Sequence, residues 1–394
     1  IEKLERLSNQ IEIPQEIYDG WDHHQEGAEC EDNWNERFRA YNASYPKEAA
    51  EFKRRMSGKL PDNFAKKMDE YILKTQQDMP NIASRKASQN AIEAMGPIVP
   101  ELFGGSADLT GSNLTNWSGS VVVNANNADG NYISWGVREF GMAAMMNGMA
   151  LHGGLIPFGG TFLVFADYER PALRLAAIQK IRVIHEFTHD SFYVGEDGPT
   201  HQPVEQIMSL RAIPDFCVYR PADAKETASC MKLALKNDSM PSALILTRQG
   251  VPIIEGSQNQ VDDNVTKGAY TLLDCSGSPE IVILASGSEV SLAIEVANKL
   301  NDKKIRVVSM PCWELFDMQP NEYKEKLIPK RGSLKVSIEA GVTQGWEKYI
   351  GRYGLSIGIN QFGSSAPAAD LAEKFGFTCD KVIEKINKSL GSLL

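Results

Sequence analysis

The chain has 394 residues, of which 42% are hydrophobic and 23% charged, and its formal net charge is −10. That length exceeds one ordinary core and predicts two or three domains of globular type. The acidic balance argues against general binding to nucleic acid or to an anionic membrane, while leaving room for a local basic pocket.

Residues 1–80 read as a polar helical arm or linker. The first six, Ile1 to Arg6, are mostly charged, lack the apolar core of a signal peptide and include no initiator Met. They suggest a piece of a longer chain. Pro46–Met56 is built of good helix formers and stops before Gly58 and Pro61. Phe64, Met68, Tyr71 and Ile72 recur at helical spacing and predict a second helix over 63–75.

From residue 81 the character changes. A helix over 84–95 leads into the apolar Leu102-Phe103, which stops at Gly104-Gly105. Tyr132–Gly136 reads as a strand and 138–151 as a helix. The apolar zone 151–165 is interrupted by His152, Gly153, Gly154, Pro157, Gly159 and Gly160, too often for a membrane span. Ile181–Ile184 and Ala243–Leu246 read as short buried strands, and Val204–Leu210 as a helix. Residues 251–267 are rich in Asp, Asn and Gln and suit an interdomain linker. The alternation then resumes, with strands over 281–285, 305–310 and 334–338 and a helix over 289–300. The predicted fold class is α/β: two consecutive domains with mainly parallel sheets flanked by helices, behind a helical arm. Cys30, Cys217, Cys230, Cys275, Cys312 and Cys379 form no Cys-x-x-Cys pair and read as reduced thiols, mostly in the core, of a cytoplasmic protein.

Chemistry concentrates in Thr188–Pro203, where two histidines, three acids and three Ser or Thr hydroxyls lie on a stretch punctuated by Gly195, Gly198, Pro199 and Pro203. Polar groups on a loop between rigid elements are well placed to form an active site.

Six motifs in this order, Ser84–Ser88, Gly104–Leu109, Gly136–Met142, Gly160–Phe162, Thr188–Ser191 and Gly195–Pro203, resemble the transketolases, which use thiamine diphosphate. The resemblance runs nearly end to end. It implies a pyrimidine-binding domain at 81–250, the 251–267 linker and a C-terminal domain at 268–394. Transketolases begin with a diphosphate-binding domain, whose Gly-Asp-Gly and a later Asn hold a divalent metal, Mg or Ca. No Gly here is followed by Asp. The expectation is therefore a C-terminal portion that lacks this domain and retains only its tail within residues 1–80. Such a chain would show little turnover alone and would depend on the missing domain or its chain as a partner.

The resemblance also assigns residues. Glu139 matches the glutamate that shares a proton with the cofactor's pyrimidine ring, a role requiring a carboxyl shielded from water. Phe162, Phe165 and Tyr168 match the ring-stacking aromatics, and Asp108 matches an aspartate near the cofactor. Arg85, Ser112, His189 and Arg248 match contacts to a sugar phosphate, for which the arginine fork is suited. Asp197 and His201 match residues at the substrate oxygens near the reacting carbon, where an imidazole can move a proton near neutral pH. The implied activity is transfer of a two-carbon ketol unit between sugar phosphates by a homodimer. Rival readings are dihydroxyacetone synthase, deoxyxylulose-phosphate synthase, the β-type subunit of a 2-oxoacid dehydrogenase and a non-catalytic dimerisation module.

Overall fold

The computed structural model describes residues 13–254 and 264–393, so 255–263 of the expected linker lie outside the described residues. The chain divides between Ser57 and Gly58 into two compact units. In the first, α1 (Gln15–Trp21), α2 (His24–Ser44) and α3 (Pro46–Met56) follow one another. Pro46 opens α3, where a missing N–H costs nothing. Phe38 of α2 stacks on Trp34 at 5.1 Å and meets Phe52 of α3 at 5.6 Å.

The second unit opens with α4 (Phe64–Asp78), which buries Phe64, Met68, Ile72 and Thr75 along one face. This stripe at a spacing of three to four residues is what docks an amphipathic helix. Its strands are β1 (Ile82–Ala83), β2 (Leu102–Ser106), β3 (Tyr132–Ser134), β4 (Ile156–Phe162), β5 (Ile184–Thr188), β6 (Cys217–Tyr219), β7 (Ser242–Leu246) and β8 (Gly250–Val251). Six of them form one parallel sheet in the order β3-β2-β4-β5-β7-β6. The short β1 and β8 pair antiparallel, Ile82 with Val251, and so bring the two ends of the segment together. Helices α5 (Ser84–Met95), α6 (Glu139–His152), α7 (Ala166–Gln179), α8 (Gln206–Arg211) and α9 (Ala224–Lys236) connect the strands.

One sequence expectation is corrected here, and one strand was not foreseen. The strand read at 181–184 runs instead from Ile184 to Thr188. Its polar His185 and Glu186 are fully buried, which hid it from a hydrophobic pattern. The interrupted zone at 151–165 contains β4, whose seven residues are all buried. Its glycines are required by packing: a Cβ on Gly159 would lie 2.7 Å from Met146 Sδ of α6, and one on Gly160 2.5 Å from Thr115 Cγ2.

A second sheet follows, built from β9 (Tyr270–Leu273), β10 (Ile281–Ala285), β11 (Ile305–Ser309), β12 (Leu334–Ile338) and β13 (Leu355–Ile357) in the order β13-β12-β10-β11-β9. All pairs are parallel except β9 with β11. Helices α10 (Glu289–Lys299), α11 (Ala368–Phe375) and α12 (Cys379–Leu393) complete it. Ile281, Ile283, Val307 and Val336 form a core with Val290, Ala293 and Val382. Mainly parallel sheets flanked by helices are thus the architecture of both blocks.

A buried polar seam joins the two sheets. Arg211 grips Glu339 through two bonds of 2.8 Å and lies 3.8 Å from the Trp313 ring centre. Trp346 Nε1 donates to the same carboxylate at 3.0 Å. Although burial opposes its charge, Arg211 and then Arg220 hold the Glu339 carboxyl down to about 2. The cysteines are all free, and four of them are buried. Among the described residues no helix is long and apolar enough to cross a membrane.

Candidate active site

Phe162 ends β4 and Thr188 ends β5, and the two are register partners. Whatever follows each strand therefore emerges side by side at the carboxyl edge of a parallel sheet, where open α/β sheets bind ligands. After β4 come Phe165 and Tyr168; after β5 comes His189. Phe162 and Phe165 are nearly parallel, with centres 5.9 Å apart and planes at 5°. Tyr168 lies 6.1 Å beyond Phe165 and is mostly exposed. His189 stacks on Phe162 at 3.7 Å, and His201 meets both phenyl rings edge-on at 6.2 and 5.7 Å.

A chain of buried hydrogen bonds orients His189. Ser106 Oγ donates to the Gly160 carbonyl at 3.1 Å and accepts from Asn113 Nδ2 at 3.0 Å. Thr188 Oγ1 donates to Asn113 Oδ1 at 2.8 Å. The single hydroxyl proton of Thr188 is thereby committed, so the 2.8 Å contact between its oxygen and His189 Nδ1 is filled by a proton on Nδ1. His189 Nε2 is then the bare nitrogen. Burial, followed by the charges of Arg85, Arg248 and His201, pushes the His189 imidazole down to about 3. The ring is neutral at physiological pH.

Those same charges place Arg85, Arg248 and His201 around His189. Arg85 Nη1 donates to the Ser112 carbonyl at 2.5 Å, while its Nε is buried without a partner. Burial and the nearby Arg248 both lower the Arg85 guanidinium from its ordinary value. Arg248 is exposed and makes no hydrogen bond or ion pair with a described residue. Two cations facing each other, one with a stranded donor, form a site that favours an anion.

Glu139 opens α6, 9% exposed, and its carboxyl makes no side-chain hydrogen bond to a described residue. The helix packs on β4 and α7. Asp108 and Asp197 are exposed, and neither is joined to the aromatic and imidazole group by a hydrogen bond. Asp108 sits just past β2 with φ 61°, a left-handed conformation that Asp tolerates. The structure thus brings together Arg85, Ser112, Phe162, Phe165, Tyr168, His189, His201 and Arg248. Among the described residues it joins Glu139, Asp108 and Asp197 to them by no side-chain hydrogen bond or ion pair. Asn113 and Thr188 were not foreseen as orienting groups, although Thr188 opens one of the motifs and Asn113 follows the candidate Ser112. Among the described residues no group of three or more His, Cys, Asp or Glu side chains is arranged to hold a metal ion.

Three family models match: the transketolase pyrimidine binding domain at residues 80–253, the transketolase-like C-terminal domain at 268–378, and the transketolase thiamine diphosphate binding domain at 6–61. The chain belongs to the transketolase family. The third match corrects the expectation of a transketolase lacking its diphosphate-binding domain, because residues 6–61 carry sequence of that domain. The match extends over residues 6–61 although no Gly in the chain is followed by Asp.

Transketolase 2 of Aliivibrio fischeri is 51% identical over 382 residues, covering 96% of this chain and 58% of the relative. The transketolase structure from Leishmania mexicana superposes with a TM-score of 0.86 at 42% identity, covering 95% of this chain and 54% of that one. A Pichia stipitis transketolase in complex with sedoheptulose 7-phosphate gives 0.88 at 38% identity, covering 96% and 56%. The chain therefore spans somewhat more than half the length of the transketolases it matches.

Proposed function

We propose that this chain performs transketolase chemistry: reversible transfer of a two-carbon ketol unit from a ketose phosphate to an aldose phosphate, with thiamine diphosphate and a divalent metal, in a cytoplasmic homodimer. The carrying observation is the convergence of Arg85, Arg248, His189 and His201 beside the Phe162–Phe165 pair. The sugar phosphate in the Pichia stipitis complex supports the substrate class.

The residues present fit the pyrimidine half of the cofactor. Parallel phenyl rings suit a flat heterocycle, and the shielded, unpartnered carboxyl of Glu139 suits a ring nitrogen. When bound, thiamine diphosphate supplies an electron sink at its thiazolium carbon for cleaving and forming the carbon–carbon bond. Glu139 holds the proton shared with the ring nitrogen, and Phe162, Phe165 and Tyr168 orient the ring, with Asp108 nearby. Arg85, Arg248 and Ser112 bind the phosphate. His189 joins them by taking a proton on Nε2 once a dianion offsets the neighbouring guanidinium charges. His201 moves a proton at the substrate oxygen, and Asp197 accepts from a substrate hydroxyl.

The test is ketol transfer from xylulose 5-phosphate to ribose 5-phosphate with thiamine diphosphate and Mg²⁺ supplied. Transfer is expected, and Glu139→Gln should lower its rate by about 10²–10⁴-fold, the range of a lost acid–base group. An unchanged rate in that variant would remove Glu139 from the chemistry. Absence of both transfer and sugar-phosphate binding would reject the reading.

A further inference from the structure

His189 has φ 60°. For a residue with a β-carbon this left-handed conformation is strained and persists only where its surroundings over-determine it. On one side the constraint is plain: Thr188 is the last rung of β5, paired with both Phe162 and Leu246. On the other side stands Asp190, 1% exposed and held by Arg220. Arg220 Nη2 and Nε donate to Asp190 Oδ2 at 2.7 and 3.1 Å.

Arg220 is fully buried and is itself fixed by the C-terminal domain. Its Nη1 donates to the Ser286 carbonyl at 2.8 Å and to Glu289 Oε2 at 2.5 Å. Glu289 Oε2 also accepts the Ala340 N–H at 2.9 Å. The Arg220 backbone is tied in too: its N–H donates to the Pro311 carbonyl at 2.8 Å, and its carbonyl accepts the Gly287 N–H at 3.0 Å. Gly287 is required where it stands, since a Cβ there would lie 2.6 Å from Arg220 Cζ. Burial works against the guanidinium charge, but the carboxylates of Glu289 and Asp190 outweigh it and raise Arg220 above its ordinary value.

The geometry points to Asp190 and Arg220 as positioning residues: anchored to Ser286 and Glu289 of the C-terminal domain, they hold His189 in its left-handed backbone and so lay its imidazole on Phe162. The functional consequence rests on the reading of His189 as a sugar-phosphate contact. The C-terminal domain thereby acts on the crevice without touching a substrate.

Asp190→Ala is the informative variant. It frees the loop yet leaves Arg220 paired with Glu289 and Ser286, so the seam between the sheets keeps balanced charge. Asp190→Asn retains an acceptor for Arg220. Ribose 5-phosphate affinity, measured by calorimetry on the whole chain, should fall about tenfold in Asp190→Ala and within about threefold of wild type in Asp190→Asn. In a His189→Ala background, Asp190→Ala should add almost nothing, because its effect runs through the imidazole; a merely structural contribution would add in full. A crystal structure of Asp190→Ala should show residue 189 leaving positive φ. Retained left-handed backbone, wild-type affinity or full additivity would each overturn the proposal. If His189→Ala binds ribose 5-phosphate as wild type does, the functional reading of His189 fails, and the backbone at residue 189 still decides whether the clamp exists.

Discussion

The imidazole of His189 rests on the phenyl ring of Phe162, with centres 3.7 Å apart and planes 26° from parallel. The contact shuts one face of the imidazole away from water, and the adjacent guanidinium groups discourage a further positive charge. A sugar phosphate between those groups reverses the balance. Binding of ribose 5-phosphate at about pH 7, where the free phosphate is mostly the dianion, should therefore show net proton uptake. Calorimetry in buffers of different ionisation enthalpy measures this directly, and an uptake of zero would place the phosphate away from His189.

Two buried groups give opposite pH dependences. His189 has its folded value lowered to about 3 from 6.5. Its contribution is present above 6.5 and is lost as pH falls towards 3, because the unfolded ring takes the proton first. The slope is at most about 1.4 kcal/mol per pH unit. His189→Asn, which tolerates positive φ, should flatten the acid limb of the stability curve measured by urea titration.

Glu186 behaves the other way. Burial raises its carboxyl from 4.5 to about 7, against a smaller opposing effect of the Ser88 hydroxyl. Below about 4.5 both states are protonated and nothing is lost. As pH rises to about 7 the unfolded state ionises alone, and stability falls to a plateau. Glu186→Gln should therefore stabilise the chain by about 3 kcal/mol at pH 8 and hardly at all at pH 4. Equal effects at both pH values would mean that Glu186 ionises normally in the fold.

Packing makes a sharp contrast between two glycines. A Cβ on Gly105 would lie 2.2 Å from the Ile133 carbonyl oxygen on the neighbouring strand, whereas one on Gly148, inside α6, meets nothing within 4 Å. Gly105→Ala should cost about 2–3 kcal/mol. Gly148→Ala should gain about 0.5–1 kcal/mol from helix propensity. Thermal midpoints of the two variants should move in opposite directions.

The seam should show the asymmetry of a buried ion pair. Arg211→Met strands the Glu339 carboxylate among Trp346, Ser286 and Arg220 and should destabilise by about 3–5 kcal/mol. Adding Glu339→Leu should recover part of that loss. If the double variant is less stable than the single one, Trp346, Ser286 and Arg220 compensate the carboxylate without Arg211.

Much of the second unit was legible in the sequence because its strands are short apolar runs between glycine-rich turns. Ile281–Ala285 and Leu334–Ile338 are examples, as is α5, whose stripe of Ala87, Ala91, Ile92 and Met95 faces the core. The Thr188–Pro203 cluster stood out by density of polar groups. The strand carrying His185 and Glu186 did not, because two fully buried polar side chains interrupt its apolar run, His185 lying 2.9 Å from Glu169 and Glu186 accepting from Ser88. Helix α9 was missed although Asp223 caps it and Glu226 reaches back to the Ala222 N–H. Arg220 carries no local signal at all: its partners lie 30, 66 and 69 residues away. The positions that bring the two sheets together are legible only when the chain is folded.

The fully buried contact between His185 Nδ1 and Glu169 Oε2, 2.9 Å long, has a mechanical meaning. Glu169 follows Tyr168 on the helix that leaves the aromatic wall, and His185 lies on the strand that delivers His189. A rivet at that point locks both banks of the crevice to one frame. Warming the protein should not widen the cleft by degrees; ligand retention and sheet integrity should disappear at the same temperature.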